Sequence, residues 1–257
     1  MKLRIGTLNC QNNADNRDIR NNNAFILAEH VNDMKYDILG TQELTIRFTN
    51  KISKYLNDYF VYGKFQYGRG LLGTRLPLLK DYNQGNQIIT HYESNKSSTY
   101  TMPWIPNKFS DIKKAIKKGS MTKRMLTVVE TYIDNKKVYI LNTHLDYYIT
   151  SVQQRQLNFL YNKIIKYLKD GFVVMMGDFN LDLDDDIFTE FINKLNNVGI
   201  SRVPMNDKTN AEKYRQTSAI DHIFIPSSWT IVDFGIVEGL EDVTDHKAVY
   251  VDVSFEG

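Results

Sequence analysis

The chain has 257 residues, with 32 basic and 30 acidic side chains and a formal net charge of +2. Because this charge is near balance, the composition excludes a histone-like binder held by its overall field, and any nucleic acid would have to be bound by a local patch. The length suffices to bury a sizeable core and no compositional break divides the sequence, so we predict one domain spanning residues 1–257.

The cysteine content and the apolar pattern bear on where the protein functions. The lone cysteine, Cys10, excludes an internal disulfide framework and fits a reducing compartment. The amino terminus enters strand-like sequence without the apolar run of a signal peptide, and no segment reaches the roughly 20 apolar residues that a membrane span requires. We therefore predict a cytoplasmic protein.

The first predicted elements are a strand, a helix and a second strand. Residues 3–8 form the first strand, which ends at Asn9, and the short buried strand at 38–39 leads to Glu43. Between them, residues 18–34 form an amphipathic helix, whose apolar stripe at helical spacing comprises Ala24, Leu27, Ala28 and Val31. Both strands thus lead into polar side chains.

The next part of the chain is less regular. Aromatic, glycine and aliphatic residues alternate from 59 to 79, which predicts two adjacent antiparallel strands. We interpret residues 81–120 as a variable, substrate-facing region with a loop, a turn around Trp104 and a short helix at 111–118. The lysines of that helix are ordinarily solvated; the alternative is an edge that faces phosphates, with Trp104 available to stack on a base or cover a lipid.

Strand character returns at residues 125–133 and 138–144, with a hairpin turn at 134–137 between them. The second of these strands ends at His144. A long helix, residues 150–168, then leads back to a strand.

The stretch FVVMMGDFN at residues 172–180 begins with five apolar residues, which predict a strand buried on both faces. Asp178 and Asn180 lie two residues apart, so in an extended chain both side chains point the same way and can bind a hard cation, a phosphate oxygen or a water. The alternative is a turn, because Asp and Asn favour turns.

After this strand, residues 184–186 are predicted to cap a helix that runs to Leu195. Two last strands are predicted at 219–225 and 248–255. An acidic residue and a histidine precede or open each of them.

Polar residues therefore occur at strand ends in six separate segments. They are Asn9, Glu43, His144, Asp178 with Asn180, Asp221, and Asp245 with His246. Turns do not explain six residues or pairs in the same positional role. We predict a four-layer α/β sandwich, in which two mainly antiparallel sheets pack face to face, helices cover the outside, and these residues share one rim.

At these positions the sequence resembles the endonuclease/exonuclease/phosphatase superfamily, which includes deoxyribonuclease I-like and exonuclease III-like enzymes. The blocks that carry the resemblance are TLN at 7–9, TQE at 41–43, NTHL at 142–145, GDFN at 177–180, IDHIF at 220–224 and TDH at 244–246. The resemblance implies a deoxyribonuclease I-like fold and hydrolysis of phosphoester bonds with a divalent ion, usually Mg²⁺, for which Mn²⁺ can substitute.

The same resemblance implies a role for each residue at the metal. Glu43 would be the principal ligand, with Asn9 and Asp245 as further ligands or orienting groups. Mg²⁺ prefers oxygen ligands and keeps several waters, which agrees with these residue types. The ion would polarise the scissile phosphate.

The remaining residues would act on the water and the phosphate. By resemblance, Asp178 would orient or deprotonate the attacking water and Asn180 would hold the water or a phosphate oxygen. His144 and His246 would donate to phosphoryl oxygens, each held protonated where a carboxylate partners it, and Asp221 would orient His246. Whether Asp178 or His246 is the general base stays open.

Four residues depart from the pattern or lie beside it. Gln11 stands where exonuclease III-like enzymes carry an acidic residue, which argues against an abasic-site endonuclease. Thr244 keeps the hydroxyl of the serine found in many relatives. His222 is out of phase with Asp221, which indicates a structural or rim role, and Asp146 either faces the cleft or lies in a surface turn.

We predict a nuclease or related phosphodiesterase whose substrate is a nucleic acid. The alternatives are a phosphatase or phospholipase C-type enzyme acting on inositol phosphates or sphingomyelin, and a binding protein that keeps the fold without catalysis. No protein partner is indicated.

Overall fold

The computed structural model describes residues 1–11, 17–65, 84–118, 123–209 and 219–255. Twelve strands and five helices lie within these ranges. The strands are β1 (Lys2–Asn9), β2 (Ile38–Thr45), β3 (Phe60–Tyr62), β4 (Gln84–Thr90), β5 (Ser94–Thr101), β6 (Met125–Ile133), β7 (Lys136–His144), β8 (Phe172–Asp178), β9 (Ile200–Arg202), β10 (Asp221–Pro226), β11 (Thr230–Val237) and β12 (Ala248–Ser254). The helices are α1 (Arg17–Met34), α2 (Ile46–Ile52), α3 (Phe109–Lys118), α4 (Thr150–Tyr167) and α5 (Asp186–Asn196).

The strands form two six-stranded sheets. The first has the order β11-β12-β1-β2-β4-β3 and the second has the order β5-β6-β7-β8-β10-β9. In each sheet one central pair is parallel, β1 with β2 and β7 with β8, and the other described pairs are antiparallel. Because the strands of each parallel pair run in the same direction, their carboxyl ends lie at the same edge of the sheet. Side chains that follow β1 and β2, or β7 and β8, can therefore meet there.

Three apolar layers hold the sandwich together. The layer between the sheets includes Ile5 and Val251 of the first sheet and Ile140 and Val174 of the second, all fully buried. A second layer joins the second sheet to α4 and α5, and a third joins the first sheet to α1. The predicted four-layer α/β sandwich, of the deoxyribonuclease I-like kind, is confirmed. Among the described residues, no helix is long and apolar enough to cross a membrane.

Strand β8 shows why the polar strand ends face each other. Val174 and Met176 point into the layer between the sheets, whereas Val173 and Met175 point toward the helices. Because side chains alternate along a strand, Asp178 continues the row that faces the other sheet. The prediction that this strand is buried on both faces is confirmed.

The same alternation applies to the other strands that reach this end. Asn142 and His144 continue the inward row of β7 that begins with Val138 and Ile140, and Asp221 precedes the inward residues Ile223 and Ile225 of β10. These polar residues are therefore extensions of the core rows.

A polar contact joins the two sheets just below this end. The Asn142 amide donates to the carbonyl oxygens of Thr41 (2.8 Å) and Gln87 (2.7 Å), and its Oδ1 accepts from Gln42 Nε2 at 2.7 Å. A side chain at Gly40 would place Cβ 2.5 Å from Met176 Cγ, so glycine permits the close approach of the sheets.

Two predictions about strands need correction. Residues 81–120 are more regular than expected, because β4 and β5 lie there. The sequence pattern also did not predict β9 and β11. Strands β5, β9 and β11 are edge strands, whose polar and partly exposed sequences lack a clear apolar alternation. The second strand predicted within 59–79, at residues 68–79, lies outside the described residues.

Gly177, which precedes Asp178, has φ of 150°, and a Cβ there would lie 2.0 Å from the carbonyl oxygen of Thr143 on β7. A Gly177→Ala substitution should therefore lower the free energy of unfolding by about 3 kcal/mol or more, because it adds backbone strain to a clash with backbone atoms. Chemical denaturation would measure the change.

Gly235→Ala on β11 is the matched control, since a Cβ at that position first meets the ring edge of Tyr250 at 3.1 Å. Equal losses of stability in the two variants would contradict the assigned role of Gly177.

Candidate active site

The carboxylate of Asp178, at the end of β8, contacts polar side chains from both sheets. Its Oδ2 accepts a hydrogen bond from Asn9 Nδ2 at 2.9 Å and lies 3.5 Å from His144 Nε2 and 3.9 Å from His246 Nε2. Its Oδ1 accepts from the backbone N–H of Asn180 at 2.8 Å. The structure therefore brings together residues from four of the predicted segments around one buried carboxylate.

Burial raises the pKa of Asp178 to about 6, and the neighbouring Asp221 charge adds to the rise. Asp221 is the cross-strand partner of Asp178 in the β8–β10 pair. The His246 charge and the hydrogen bond from Asn9 oppose the shift. Asp178 is thus mostly ionised at neutral pH, and its pKa is close enough to neutral pH for the carboxylate to accept a proton.

His246 and Asp221 form a hydrogen-bonded ion pair. His246 Nδ1 donates to Asp221 Oδ2 at 2.9 Å, as predicted for an orienting partner. Burial by itself lowers the pKa of His246, but the charge and hydrogen bond of Asp221, followed by the Asp178 charge, outweigh it and raise the pKa to about 10. His246 is therefore an imidazolium at neutral pH.

Thr244 ties this histidine to the first strand. Its hydroxyl donates to the Asn9 carbonyl oxygen at 2.6 Å and accepts from the backbone N–H of His246 at 3.1 Å. The hydroxyl that the sequence retains here thus fixes the position of the TDH block against the end of β1.

His144 differs from His246 in charge. It is buried between two carboxylates, with Nε2 near Asp178 and Nδ1 4.0 Å from Glu43 Oε1. Burial, with the cationic Arg124 and His246 nearby, lowers its pKa well below the usual value. The expectation that a carboxylate holds the histidine protonated thus applies to His246 and does not apply to His144, which donates as a neutral ring.

Glu43 reaches the same cleft from an irregular part of β2. Its backbone has φ of 61°, and the register with β4 shifts between Thr41 and Leu44. Such a conformation costs energy for a non-glycine residue and is typical of functional sites. The side chain is a quarter exposed, and its Oε2 accepts from Gln84 Nε2 at 3.1 Å.

Asp245 pairs with Gln11, two residues after Asn9. Its Oδ2 accepts from Gln11 Nε2 at 2.8 Å, whereas its buried Oδ1 has no hydrogen-bond partner among the described residues. Burial raises the pKa of Asp245; the His246 charge opposes this rise, and the Glu43 charge adds to it. Glu43 and Asp245 are therefore close enough to repel each other.

These two carboxylates fit a divalent cation. They supply oxygen ligands, one buried oxygen is unsatisfied, and a cation would relieve their mutual repulsion, which agrees with the preferences of Mg²⁺. Asn9 Nδ2 lies 3.5 Å from Glu43 Oε1, and its Oδ1 accepts from the Gln11 N–H. Asn9 therefore contacts the carboxylates of Glu43 and Asp178 through its amide nitrogen.

Asp178, Asp221 and His246 also form a cluster whose ligand atoms lie within 4.8 Å of one another. This cluster is less suited to Mg²⁺. An imidazolium has no lone pair to offer a metal, and Asp221 is fully buried, away from the waters that Mg²⁺ keeps.

Asn180 lies in a turn just after β8, which is the alternative interpretation of this segment, and not in an extended strand. Its φ is 50°, its N–H closes a turn onto Asp178 Oδ1, and its Nδ2 donates to the Leu145 carbonyl oxygen at 3.0 Å. This amide therefore joins the GDFN block to the NTHL block.

Two neighbouring polar residues have structural roles. His222 is buried against Phe179 and Phe188, and its Nε2 donates to the Leu181 carbonyl oxygen at 3.0 Å, as its phase in β10 indicated. Asp146 is buried rather than in a surface turn, and its Oδ1 accepts from the N–H groups of Tyr148 and Ile149 just before α4.

The sequence interpretation missed three residues near the cleft. Gln84 lies in the region expected to be a loop, and Gln11 was considered only as a missing acid. Arg124 lines a small pocket with Glu43 and His144, and its buried Nε has no hydrogen-bond partner among the described residues. Its position one residue before β6 was the available signal, because a strand end on this rim places its neighbours in the cleft.

An Asp221→Asn substitution should lower the pKa of His246 from about 10 toward its ordinary value near 6.5, because the largest stabilising charge is removed. NMR titration of the ring would measure the shift. Asp186→Asn at the start of the distant helix α5 is the control; an unshifted His246 in the Asp221 variant would contradict the assigned pair.

The same pKa sets a pH dependence of stability. Below about pH 6.5 the ring binds a proton in both folded and unfolded chains, so its contribution is fully present. Between about 6.5 and 10 only the folded chain keeps the proton, so this contribution is lost as pH rises. Melting temperatures of wild type and His246→Gln should therefore converge from pH 6.5 to 10; a constant difference would contradict the shift.

The chain was compared with known sequences and with solved structures. No curated protein sequence matches the chain. The structure is similar to an endonuclease/exonuclease/phosphatase family protein from Bacteroides thetaiotaomicron (TM-score 0.74, 17% identity, covering 100% of this chain and 99% of that one). It is also similar to a mannosyl-6-phosphatase from Bacteroides thetaiotaomicron VPI-5482 (0.72, 18%, 98% and 100%) and to D. rerio TDP2 complexed with a single-strand DNA product (0.69, 18%, 98% and 99%).

At these identities the structural neighbours show the fold alone. The sequence model of the Endonuclease/Exonuclease/phosphatase family, however, matches residues 6–246, which include every predicted site residue. The chain therefore belongs to the endonuclease/exonuclease/phosphatase family.

Proposed function

We propose that this protein is a divalent-metal-dependent phosphodiesterase that acts on nucleic acid, and that the whole chain, residues 1–257, is one catalytic domain. The observation that carries the proposal is the convergence of Asn9, His144 and His246 on Asp178 Oδ2, beside the carboxylates of Glu43 and Asp245. Membership of a family of nucleases and phosphatases supports the phosphoester substrate.

Glu43 and Asp245 would hold Mg²⁺ or Mn²⁺. When bound, such an ion acts as a Lewis acid on the scissile phosphate and stabilises charge on the leaving oxygen. Asn9 would help to hold Glu43, which lies 3.5 Å from its amide nitrogen.

Asp178 is the better candidate for the general base. His246 already carries a proton at neutral pH and cannot accept another, whereas Asp178 is ionised and has a pKa of about 6. The hydrogen bonds from Asn9 and from the Asn180 N–H fix the carboxylate, so that it can take the proton of an attacking water.

The charge that develops on the phosphoryl oxygens would be met by donors around the cleft. His246 supplies a cationic N–H held in orientation by Asp221, and His144 supplies a neutral one. Arg124 adds a guanidinium whose Nε is unsatisfied among the described residues. Such preorganised donors stabilise the transition state more than the ground state.

Aromatic rings and lysines on the rim support a nucleic acid substrate. The rim is formed by the segment before α3, by α3 itself and by the loop after His144. Ile105 is 48% exposed and Phe109 is 71% exposed, Lys113 lies over the Phe109 ring at 4.8 Å, and Lys123 lies over the Trp104 ring at 5.8 Å. Alternating rings and cations are typical of surfaces that bind single strands.

Contacts hold this rim beside the site. The Gln156 amide donates to the Pro103 carbonyl oxygen at 2.8 Å and its Oε1 accepts from the Asp146 N–H. Ser151 donates to Asp111 at 3.1 Å, and Ala115 packs on Ile149. Residues 103–115 therefore contact α4 and the loop that follows His144, which supports the substrate-facing role proposed for this region.

The alternative is a phosphatase or phospholipase C-type enzyme acting on inositol phosphates or sphingomyelin. The similarity of fold to a mannosyl-6-phosphatase keeps a phosphatase among the candidates. A cytoplasmic location stays a prediction from the sequence.

Purified wild type should hydrolyse single-stranded DNA or RNA with Mg²⁺ and lose this activity in EDTA, and Asp178→Asn should reduce kcat by at least about 100-fold because the base is removed. The panel should also contain bis-p-nitrophenyl phosphate, an inositol polyphosphate and sphingomyelin. Glu43→Gln should raise the Mg²⁺ concentration needed for half-maximal rate.

Cleavage of the inositol phosphate or the lipid alone would overturn the nucleic acid proposal and keep the mechanism. Full activity of Asp178→Asn would overturn the mechanism. The absence of hydrolysis for every substrate would favour a binding protein.

A Phe109→Ser substitution should raise the KM for a single-stranded oligonucleotide by roughly tenfold with little change in kcat, because one stacking ring is removed. Hydrolysis of bis-p-nitrophenyl phosphate should be unchanged. Tyr132→Ser, which removes an exposed ring on β6, is the control. Equal KM values for Phe109→Ser and wild type would contradict the proposal that the rim binds the nucleic acid.

A further inference from the structure

A pocket of about 390 Å³ lies on the helix-covered face of the second sheet, away from the candidate active site. Side chains of β5, β6 and β7 line it together with the end of α4. The loop after His144 leads into the start of α4, whereas Tyr167 lies at its last turn. The helix has 18 residues, so these two ends are separated by roughly 25 Å. The pocket is therefore distinct from the cleft around Asp178.

The pocket has an apolar and aromatic floor. Val128 and Tyr139 line it and are buried, and the Tyr167 ring stacks on the Tyr139 ring with the centroids 4.4 Å apart. The volume is far larger than a bare phosphate ion requires and falls within the range of small-molecule sites. A ligand that fills this pocket therefore has a body that can pack on rings.

The charges at the pocket favour an anion. Its two acidic side chains are both paired with Lys137, whose Nζ lies 3.3 Å from Glu130 Oε1 and 3.0 Å from Asp170 Oδ2. Three other lining side chains are lysines that form no ion pair among the described residues: Lys96, Lys166 and Lys169. The acidic groups are thus already compensated, and the three ammonium groups leave the pocket with an excess of positive charge.

A pair of tyrosines adds a hydrogen-bond donor. The hydroxyls of Tyr100 and Tyr167 both belong to the pocket and lie 3.3 Å apart. Only one of them can donate to the other, so the pair keeps one O–H for a ligand. The hydrogen bond with Tyr167 lowers the pKa of Tyr100 against the effect of burial, and the Lys163 and Lys166 charges lower it further. Cations therefore surround the position where this hydroxyl would meet a ligand.

We propose that this pocket is a second ligand site, which binds a small phosphate monoester with an aromatic body of the size of a mononucleotide. Lysine ammonium groups bind phosphate as point charges, and the tyrosine hydroxyl would add a directed hydrogen bond. The phosphate would lie among the three lysines and the aromatic body would pack on Val128 and Tyr139. This inference does not rest on the proposed function, because none of these residues belongs to the catalytic cleft.

Calorimetric titration of the whole chain with adenosine 5′-monophosphate tests the proposal, with EDTA present so that no metal-dependent hydrolysis consumes the probe. Exchanging both helix-end lysines, Lys166→Gln with Lys169→Gln, should raise the Kd roughly tenfold, because two charged contacts are lost. Tyr100→Phe should raise the Kd roughly threefold, because one hydrogen bond is lost. Lys54→Gln, an exposed lysine just after α2, is the matched control and should keep the wild-type Kd.

Adenosine and inorganic phosphate separate the two parts of the ligand. Each should bind at least about tenfold more weakly than the monophosphate, because each fills only part of the pocket. Adenosine that binds as tightly as the monophosphate would overturn the anion site, and inorganic phosphate that binds as tightly would overturn the role of the aromatic floor.

NMR spectroscopy locates the bound probe. Saturating monophosphate should shift the ring resonances of Tyr100 and Tyr167. Shifts confined to His144 and His246 would place the probe in the catalytic cleft and overturn the inference, as would the absence of saturable binding to wild type. Lys166 and Lys169 are exposed, so the lysine variant should keep the wild-type melting temperature, and an unchanged Kd in that variant would also overturn the site.

Discussion

The hydrogen bond between Asn9 and Asp178 is the contact on which the site depends. Asn9 ends β1 in the first sheet and Asp178 ends β8 in the second, so this bond of 2.9 Å joins the two sheets at the catalytic end. It is possible because both residues continue rows of core side chains that face each other. Just below it, Gly40 and Asn142 permit and bridge the close approach of the sheets. Packing of the apolar layer thus sets the distances within the polar site.

The charges around this contact are divided into two groups. On one side, Asp221 and Asp178 hold His246 as a cation, and burial raises the pKa of Asp178 to about 6. On the other side, Glu43 and Asp245 repel each other and are restrained by glutamine amides. A divalent ion would balance the second group as His246 balances the first. The neutral state of His144 between the two groups follows from its burial and from the cationic Arg124 and His246 nearby.

The chemistry and the choice of substrate lie in different parts of the fold. The residues proposed as base, phosphate donors and metal ligands are placed mainly by central strands, whose backbones are hydrogen-bonded on both sides. The rim that would select the substrate comes from α3, from the segment before it and from the loop after His144, which the core restrains less. Members of one family can therefore keep the same reaction while the group beyond the phosphate changes, and the identity of the family does not identify the substrate of this chain.

The sequence by itself determined much of this structure. Apolar periodicity, which is a local property, accounts for the positions of β1, β6, β7, β8, α1, α4 and α5, for five of the six polar segments at strand ends, and for the structural role of His222. Glu43, expected after a strand at 38–39, lies within β2. Tertiary structure decided the rest. Edge strands such as β5 and β11 were missed because one side of each lies at the border of a sheet, where no apolar alternation is required. The contrasting charges of His144 and His246, the burial of Asp146, and the pairing of Gln11 with Asp245 depend on residues far apart in the chain, and no local pattern records them.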